Sequence, residues 1–570
     1  MKLQLLLQKK YGWVFLLIFF AMLILLSAQV HERLDLTKEK RYSLSPSTIH
    51  LLSNLHGNIE IQVLLTGKLS AGFRKLKNST SDLLENYRSY SNGHLHFKFV
   101  QPGEGLSDSL KLQLYDSLVR IGIKPFNNQL QDNDDAQTER LIFPSAIVTY
   151  NGKLIPVDLM SGKSGMDEAS TLNYSEALLE FKFDDAIQKI TTTQFPIVAY
   201  AVGNGEPLNP TVNDLFNTLR NNYRFGLFDL RNGILDADTI KALLIVKPEQ
   251  PFTEDEKIKI DQYIMQGGNV LWFIDKLYAE FDSLLRAKSD FVAYDKGLNI
   301  DDQLFKYGVR INPDLLQDLN AAKQPLVVGN MGGQPQIQRI PFPYYPLLSA
   351  PENHPISHNL DQVLSIFPSS IDTVEANGIK KTILLASDTN SRKLGTPAIV
   401  SLRSIRSEGD LQTFKDSKVP VVVLLEGKFK SLYANRFTKA MQDSVTQLTG
   451  MPFMSSGIKE AKQIVASDAD IVTNVITQSN GPLPMGTQQF ENYQFANKEF
   501  LLNCLDYLVG NRGILETRNK EFTLRLLDKN KIIRWRKGLR MIMDIQIKSL
   551  SIRSRKAIYS YRKNWGFRYG

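Results

Sequence analysis

Residues 197–206 read IVAYAVGNGE, a continuously apolar run that ends in a turn containing two glycines. Two further apolar runs follow at Ala242–Val246 (ALLIV) and Val270–Ile274 (VLWFI). Runs of this kind, without polar alternation, are typical of parallel strands that are buried on both faces. Helical patterns at Asn213–Tyr223 and Glu254–Met265 lie between them. Strands that alternate with helices predict a doubly wound parallel sheet.

The same sheet is expected to resume further along the chain. Strands are predicted at Lys381–Ala386, Val419–Leu425 and Gln463–Val465, and a last helix at Asn497–Gly510. We therefore assign residues 194–515 to one doubly wound α/β domain.

A long insertion at about 277–371 interrupts this domain. It is rich in Pro and Asn and includes PFPYYP at Pro341–Pro346, so it is predicted to be irregular. Exposed loops of this composition often contact partners. A structural cover over the edge of the sheet is the alternative interpretation.

Residues 40–193 are predicted to form a separate α/β domain. Without its opening helix, the predicted element order is β-α-β-α-β-β-α, which is that of a thioredoxin-like domain. Strands at Leu141–Tyr150 and Lys153–Leu159 flank an Asn-Gly pair, a strong hairpin signal. A helix at Tyr174–Thr191 closes the domain. The only cysteine, Cys504, rules out redox chemistry by a Cys pair and is predicted to be a small buried core residue.

The N-terminal residues 1–30 contain a predicted membrane anchor preceded by a short cytoplasmic stub. Residues 11–28 (YGWVFLLIFFAMLILLSA) carry no charge, and eighteen residues span ~27 Å as a helix, close to the bilayer core. Lysines precede this segment, so the N-terminus is expected in the cytoplasm and the body in the periplasm, with a single pass through the inner membrane. A cleaved signal peptide is the alternative, but its apolar core is usually only ~7–15 residues long.

Positive charge is concentrated in a C-terminal tail, residues 516–570. Residues 529–570 contain thirteen Lys/Arg and one acidic residue, so the rest of the chain carries −3 of the total +9. A nearly neutral body without a basic stripe gives no support to nucleic-acid binding.

The turn Gly203-Asn204-Gly205-Glu206 occupies the place where α/β folds hold ligands, after a strand and before a helix. It does not match G-x-G-x-x-G, because Leu208 stands at the final glycine position. A purely conformational turn and a turn with one functional carboxylate are the two interpretations. Asp275 and Asp388 also follow strands and can bind a ligand or cap the next turn.

Other catalytic or metal-binding signatures were not found. There is no G-x-S-x-G and no H-E-x-x-H, and His94 and His96 have no nearby acidic or Cys partner in the sequence. We therefore expect no enzyme activity, no cofactor and no metal. The candidate residues for binding a ligand or partner are Gly203, Asn204, Gly205, Glu206 and Asp275.

Six short motifs occur together in a specific order. They are Lys40–Ser45 (KRYSLS), Gly203–Glu206 (GNGE), Ile260–Ile264 (IDQYI) with Gly267-Gly268 and Asp275, Asp302–Asn312 (DQLFKYGVRIN), Gly481–Pro484 (GPLP) and Asn497–Phe500 (NKEF). With them the chain resembles the GldG family, gliding-motility ABC transporter components of Bacteroidetes that are usually described as substrate-binding-like subunits. The resemblance covers roughly residues 10–530.

The resemblance implies partners and a fold. Members of this family work with an ABC permease subunit and, through it, a cytoplasmic ATPase. Their C-terminal unit is similar to the glutamine-amidotransferase-like fold but has no established catalysis. The membrane lipid is expected to be contacted by residues 11–28.

The C-terminal tail departs from this family, whose members normally end with a second membrane helix. After Asp528 no uncharged stretch is longer than about five residues, and charged residues at the centre of a bilayer are costly. We hypothesise a disrupted reading frame near Lys531–Lys537; an amphipathic surface helix is the alternative.

The expected function is therefore a membrane-anchored, extracytoplasmic, substrate-binding-like or auxiliary subunit of an ABC transporter associated with gliding motility. The alternatives are a membrane-tethered hydrolase or amidotransferase-like enzyme that uses Glu206 and Asp275, and a purely structural scaffold.

Overall fold

The computed structural model describes residues 43–510, apart from 132–136, 163–165, 282, 285–289, 332–333, 403–404, 406–407, 480 and 489–492, and it also describes residue 517. The predicted membrane anchor at 11–28 and the basic tail after residue 517 lie outside the described residues. Among the helices that are described, none has both the length and the apolar character needed to cross a bilayer.

The N-terminal region combines five helices and six strands within the described residues. They are α1 (Pro46–Ser53), β1 (Ile59–Val63), α2 (Ala71–Tyr90), β2 (Leu95–Phe99), α3 (Asp108–Arg120), β3 (Phe126–Gln131), β4 (Gln137–Ile142), β5 (Ser145–Tyr150), β6 (Lys153–Asp158), α4 (Glu168–Ala177) and α5 (Leu179–Thr191). The main sheet of this region has the order β2-β1-β5-β6, in which only the β1–β2 pair is parallel. Apolar residues of α2 and α5, such as Phe73 and Phe183, pack with β1 to form its core. The thioredoxin-like assignment stays a prediction.

Two predictions in this region need correction. The predicted strand Leu141–Tyr150 is interrupted at Pro144, so that β4 pairs with β3 and β5 pairs with β1. The predicted closing helix Tyr174–Thr191 is divided at Leu178 into α4 and α5. The predicted hairpin at Asn151-Gly152 is confirmed, since β5 and β6 pair across it, and both residues have the positive φ that such a turn requires.

A second, larger sheet dominates the rest of the described chain. Its strands and helices are β7 (Ile197–Val202), α6 (Asn213–Asn222), β8 (Arg224–Asp229), β9 (Ile240–Val246), α7 (Glu254–Met265), β10 (Asn269–Phe273), β19 (Ile379–Ala386), β22 (Pro420–Gly427), α10 (Lys439–Thr449), β23 (Ala461–Ala466) and α11 (Asn497–Val509). In the described residues its strand order is β19-β22-β23-β10-β9-β7-β8. The strands from β23 to β8 are parallel, and β22 runs against both of its neighbours. The sheet is thus less uniformly parallel than the apolar pattern predicts.

The apolar strands of this sheet are buried because each face packs against helices. On one face Tyr200 and Leu244 join a core with Leu219 of α6 and Leu505 of α11. On the other face, Trp272 and its neighbours pack against Tyr263 of α7. Helix α7 begins with a capping box, in which Thr253 and Glu256 each accept a hydrogen bond from the other's backbone N–H.

The chain leaves this sheet after β10 and again after β19 to build an inserted β-rich region. Its elements are β11 (Leu277–Tyr278), β12 (Asp290–Asp295), α8 (Asp301–Tyr307), β13 (Val309–Ile311), β14 (Asp314–Asp318), β15 (Ala321–Met331), β16 (Gln334–Leu348), β17 (Val363–Leu364), β18 (Ile371–Thr373), β20 (Ser391–Gly395), β21 (Ala398–Ser401) and α9 (Glu408–Leu411), and the short pair β24 (Ile476–Thr477) and β25 (Gly481–Pro482) follows β23. Because β20 pairs with β14 and β21 pairs with β12, the inserted region extends beyond the predicted limit at residue 371.

The prediction of an irregular loop at Pro341–Pro346 is wrong. These residues belong to β16, where Lys323 is opposite Pro341 and Ala321 is opposite Pro346, so residues 342–345 form a bulge. Bulges tolerate proline because they leave ladder hydrogen bonds unmade. Phe342 and Tyr344 are buried and pack against Phe367. These side chains therefore pack within the inserted region, and both interpretations of the insertion stay predictions.

Candidate functional site

A cleft of about 670 Å³ lies at the carboxyl ends of the parallel strands. From β7 the chain passes to β8 on one side of the sheet order, whereas from β9 it passes to β10 on the other. Such a switch point opens a crevice in which α/β proteins bind ligands. One wall of the cleft comes from loops that follow the strands, including Lys247, Asp470 and Asn474. The inserted region supplies the opposite wall, including Phe281 and Tyr345.

The turn Gly203–Glu206 follows β7 at the rim of this cleft, with Gly205 in its lining. The carbonyl oxygen of Asn204 accepts hydrogen bonds from the backbone N–H groups of Glu249 and Gln250, both at 2.8 Å. Gly205 has φ +83°, and a Cβ there would lie 3.0 Å from the Cβ of Glu249. A glycine is needed here because of both its conformation and this close approach. The turn thus holds the loop between β9 and α7 in place.

The side chains of Asn204 and Glu206 point into the protein and not into solvent. Glu206 Oε2 accepts a hydrogen bond from Asn204 N at 2.8 Å, and Asn204 Nδ2 donates to Glu256 Oε2 at 2.9 Å. Burial, together with the nearby charge of Glu256, raises the pKa of Glu206. Asn204 Oδ1 and Glu206 Oε1 are buried without a hydrogen-bond partner among the described residues. This arrangement fits a conformational turn.

Lys247 connects two of the strand ends through ion pairs. Its Nζ atom lies 2.8 Å from Asp470 Oδ1 and 3.3 Å from Asp275 Oδ2. The backbone of Lys247 is left-handed, with φ +48°. This conformation is uncommon for a residue with a side chain, and such residues cluster at functional sites. Asp275 is held further by the N–H of Ala469, which donates to Oδ1 at 2.7 Å.

The ion pairs in this cluster stabilise the charged forms of Lys247 and Asp275. Burial opposes ionisation of Asp275, but the ammonium groups of Lys247 and Lys296 hold its pKa below the usual range. Burial also opposes the charge of Lys247, yet Asp470 and Asp275 raise its pKa well above normal. The pKa of Asp468 is raised well above its usual value by burial and by the charges of Asp470 and Asp275. Lys247 is therefore a protonated ammonium without a lone pair, and Asp275 is an ion-paired carboxylate.

The structure brings some predicted site residues together and adds others. Gly205 lines the cleft, and Asp275 reaches it indirectly, through Lys247. Sequence reasoning missed Lys247, Asp470 and Gln488, which all line the cleft. A signal for Asp470 was available, because Ser467-Asp468-Ala469-Asp470 directly follows a predicted strand. No feature of the sequence around Gln488 indicated that it would line a cleft.

The other residues considered in the sequence, Asp388 and Cys504, have structural roles. Asp388 Oδ1 accepts a hydrogen bond from the N–H of Thr389 at 2.8 Å, which is a local cap. Cys504 lies fully buried in the core beside α6, as predicted. Within the residues that the structure describes, no group of three His, Cys, Asp or Glu side chains could hold a metal ion.

Comparison with known proteins gives a family match over the main sheet and the cleft. Residues 196–504 match the family described as ABC-type uncharacterized transport system. Residues 38–149 match a domain of unknown function. No curated protein matches the sequence.

Similarity to solved structures is low. An N-terminal domain titled mmIFT52 is 12% identical with a TM-score of 0.28, and the match covers 55% of this chain and 96% of that domain. A ThuA-like protein from Parabacteroides merdae is 11% identical with a TM-score of 0.25, over 56% of this chain and 91% of the other. An exo-β-1,4-mannosidase from an Opitutaceae bacterium is 10% identical with a TM-score of 0.21, over 75% of this chain and 50% of the enzyme.

Proposed function

This chain belongs to the family described as ABC-type uncharacterized transport system, and we propose that it is an extracytoplasmic accessory subunit of such a transporter that acts by binding and not by catalysis. The observation that carries the proposal is the family match over residues 196–504. Those residues build both the main sheet and the cleft at its carboxyl edge.

The finer assignment rests on the sequence. Residues 11–28 form a single-pass anchor in the inner membrane, with the N-terminus in the cytoplasm and the body in the periplasm. The partners are an ABC permease subunit and, through it, a cytoplasmic ATPase. The transporter is of the GldG type that is associated with gliding motility.

The charge network at the cleft supports a binding role. Asp275 follows a strand, where a doubly wound enzyme commonly places a reactive carboxylate, but its two oxygens are engaged by Ala469 and Lys247. Glu206, the other acid considered for catalysis, is buried and faces away from solvent. A protonated lysine that is paired with two carboxylates has no lone pair with which to attack a substrate.

Co-purification from the native host tests the transporter assignment. The full chain with an affinity tag is extracted in mild detergent, and its partners are identified by mass spectrometry. We expect a permease and an ATPase to be recovered, and to be recovered equally with Glu206→Gln and Asp275→Asn. Recovery of the folded chain without any transporter component would contradict the assignment.

The topology can be tested by cysteine labelling. The only cysteine, Cys504, is buried, so the native chain offers a low background. Ser89→Cys adds a thiol on an exposed position of α2. Labelling of this variant by a membrane-impermeant maleimide, after the outer membrane is permeabilised, is expected if the body is periplasmic. Labelling that occurs only after lysis of the inner membrane would place the body in the cytoplasm.

A further inference from the structure

The cleft at the carboxyl edge of the main sheet has an unequal distribution of charge. Its lining contains the carboxylates of Glu249, Glu280 and Asp470, but Lys247 is the one basic residue that the described lining contains. Lys296 lies outside the lining and pairs with Glu249 at 2.8 Å. The cleft therefore keeps an excess of negative charge, which disfavours phosphates, nucleotides and other anions because like charges repel one another in a partly buried site.

Two of these acids have capacity for a ligand. The hydrogen bonds that Asp470 accepts from Lys247 and Thr473 both go to Oδ1, at 2.8 and 2.7 Å. Its Oδ2 atom accepts none from any described residue, although the side chain is only 15% exposed. The half-buried carboxylate of Glu280 likewise forms no hydrogen bond or close ion pair within the described part of the chain, although its charge acts on Lys247 from a distance. A cation that reaches Oδ2 of Asp470 or the carboxylate of Glu280 would gain charge-assisted hydrogen bonds.

A buried amide provides a hydrogen-bond donor at the same cleft. Gln488 is only 5% exposed, and its Oε1 accepts a hydrogen bond from Gln324 Nε2 at 2.8 Å. The Nε2 group of Gln488 is left without a partner among the described residues. A buried donor without a partner costs free energy, so a ligand that offers an oxygen acceptor is favoured here.

The wall formed by the inserted region is apolar. Phe281, Leu364 and Ile366 line it together with Tyr345, whose ring centroid lies 6.0 Å from that of Phe281. This wall can bury an apolar side chain. The volume of the cleft, about 670 Å³, lies within the range of specific ligand pockets.

We propose that this cleft binds a short polypeptide segment that carries a basic side chain. Such a segment supplies a cation for Glu280 and Asp470, a backbone carbonyl for Gln488, and an apolar side chain for the wall that contains Phe281. A neutral saccharide supplies oxygen acceptors but no cation, so the excess negative charge of the cleft would stay uncompensated. The inference rests on the binding role proposed above and names the ligand class of that site.

Fluorescence anisotropy with three matched probes tests the inference. The probes are rhodamine-labelled octapeptides of Gly, Ser and Phe that contain two Lys, two Gln or two Glu residues at the same positions, and they are titrated with the purified full chain. We expect the Kd of the Lys peptide to be at least about tenfold lower than that of the Glu peptide, with the Gln peptide between them. Equal affinity for the three peptides would overturn the proposal.

Variants of the chain locate the binding. Glu280→Gln and Gln488→Leu are each expected to raise the Kd of the Lys peptide about three- to tenfold, whereas Glu104→Gln, an exposed acid outside the cleft, should leave it unchanged. An equal effect of Glu104→Gln would overturn the proposal, because it would indicate non-specific attraction. Thermal unfolding of each variant shows whether it is folded, and the three-peptide comparison needs no variant.

Direct binding of an unlabelled sugar, measured by isothermal titration calorimetry, distinguishes a peptide site from a saccharide site. If maltohexaose binds the chain and none of the three peptides does, the ligand class proposed here is wrong. The binding measurements and the co-purification of transporter components are independent. Failure of this inference is therefore distinguishable from failure of the proposed function.

Discussion

The ammonium group of Lys247 lies 2.8 Å from Oδ1 of Asp470, although the two residues are 223 positions apart in the chain. Lys247 follows β9 and Asp470 follows β23, and β10 lies between these two strands in the sheet. The ion pair therefore ties together the carboxyl ends of strands that are not direct neighbours. It also sets the charge at the base of the cleft.

Removal of the ammonium group tests this connection. Lys247→Met should lower the free energy of unfolding by about 3 kcal/mol, because it leaves Asp470 largely buried without its counter-ion and Asp275 with only the more distant Lys296. Urea unfolding followed by fluorescence measures the change. The control Lys459→Met breaks a pair with Asp238 in which both side chains are more than half exposed, and we expect it to cost less than about 1 kcal/mol. Equal losses in both variants would show that the buried pair has no special role.

The glycine turn at the rim allows a second comparison. Gly205→Ala should destabilise the protein by about 1–3 kcal/mol, because the new Cβ would meet Glu249 at 3.0 Å in a left-handed backbone. Gly152→Ala has a similar φ of +77°, but a Cβ there would meet no described atom within 4 Å. We expect Gly152→Ala to cost about 1 kcal/mol, which measures the backbone strain alone. A Gly205→Ala variant as stable as Gly152→Ala would indicate that the close approach is unimportant.

The Pro-rich stretch of β16 is expected to stabilise the fold and not to contact a partner. Phe342→Ala should cost about 3–5 kcal/mol, since its side chain is fully buried in the inserted region. Ile337→Ala, on the same strand but exposed, should change stability by no more than about 0.5 kcal/mol. Thermal unfolding of the two variants provides the measurement. A stable Phe342→Ala variant that has lost its transporter partners would instead favour a contact surface.

Asp318 is expected to make stability depend on pH. Burial raises its pKa to about 6, above the ~3.9 of an unfolded chain, so its ionised form costs stability above pH 6. As the pH falls from 6 towards about 4, the folded state binds the proton first and the wild type gains stability. The free energy of unfolding of Asp318→Asn, measured with urea and compared with that of the wild type, should therefore decrease as the pH is lowered from 8 to 5. If the difference in stability between Asp318→Asn and the wild type stays constant across this range, the raised pKa of Asp318 is refuted.

Several local features could be predicted from sequence because short-range interactions decide them. Ser45 caps α1, and its side chain accepts a hydrogen bond from Thr48 N. Helix α2 carries its buried residues Phe73, Leu76, Thr80, Leu84 and Tyr87 at helical spacing. The hairpin at Asn151-Gly152 and the capping box of Thr253 and Glu256 depend on contacts within a few residues. Each of these signals lies within one short continuous segment of the chain.

The cleft could be predicted only in part. The turn after β7 was recognisable, because glycines at a strand end suggest a ligand site. Lys247 gave no comparable signal, since one lysine before a proline has no meaning until its neighbours are known. Gln488 depends on Gln324, which comes from another part of the chain. The prediction of an irregular loop at Pro341–Pro346 is wrong because a pattern of prolines does not show that a bulge in a strand can accommodate them.

The sequence alone determined the apolar strands, the helices between them and their caps, because periodicity and capping depend on residues that are close together in the chain. Only the tertiary structure decided which strand ends meet, that β22 reverses direction, and that Asp275 and Asp470 share one lysine. Apolar strands such as ALLIV and VLWFI have similar faces and can pair in many orders. Their actual order is set by the packing of the whole sheet against its helices, a long-range effect that no local pattern carries.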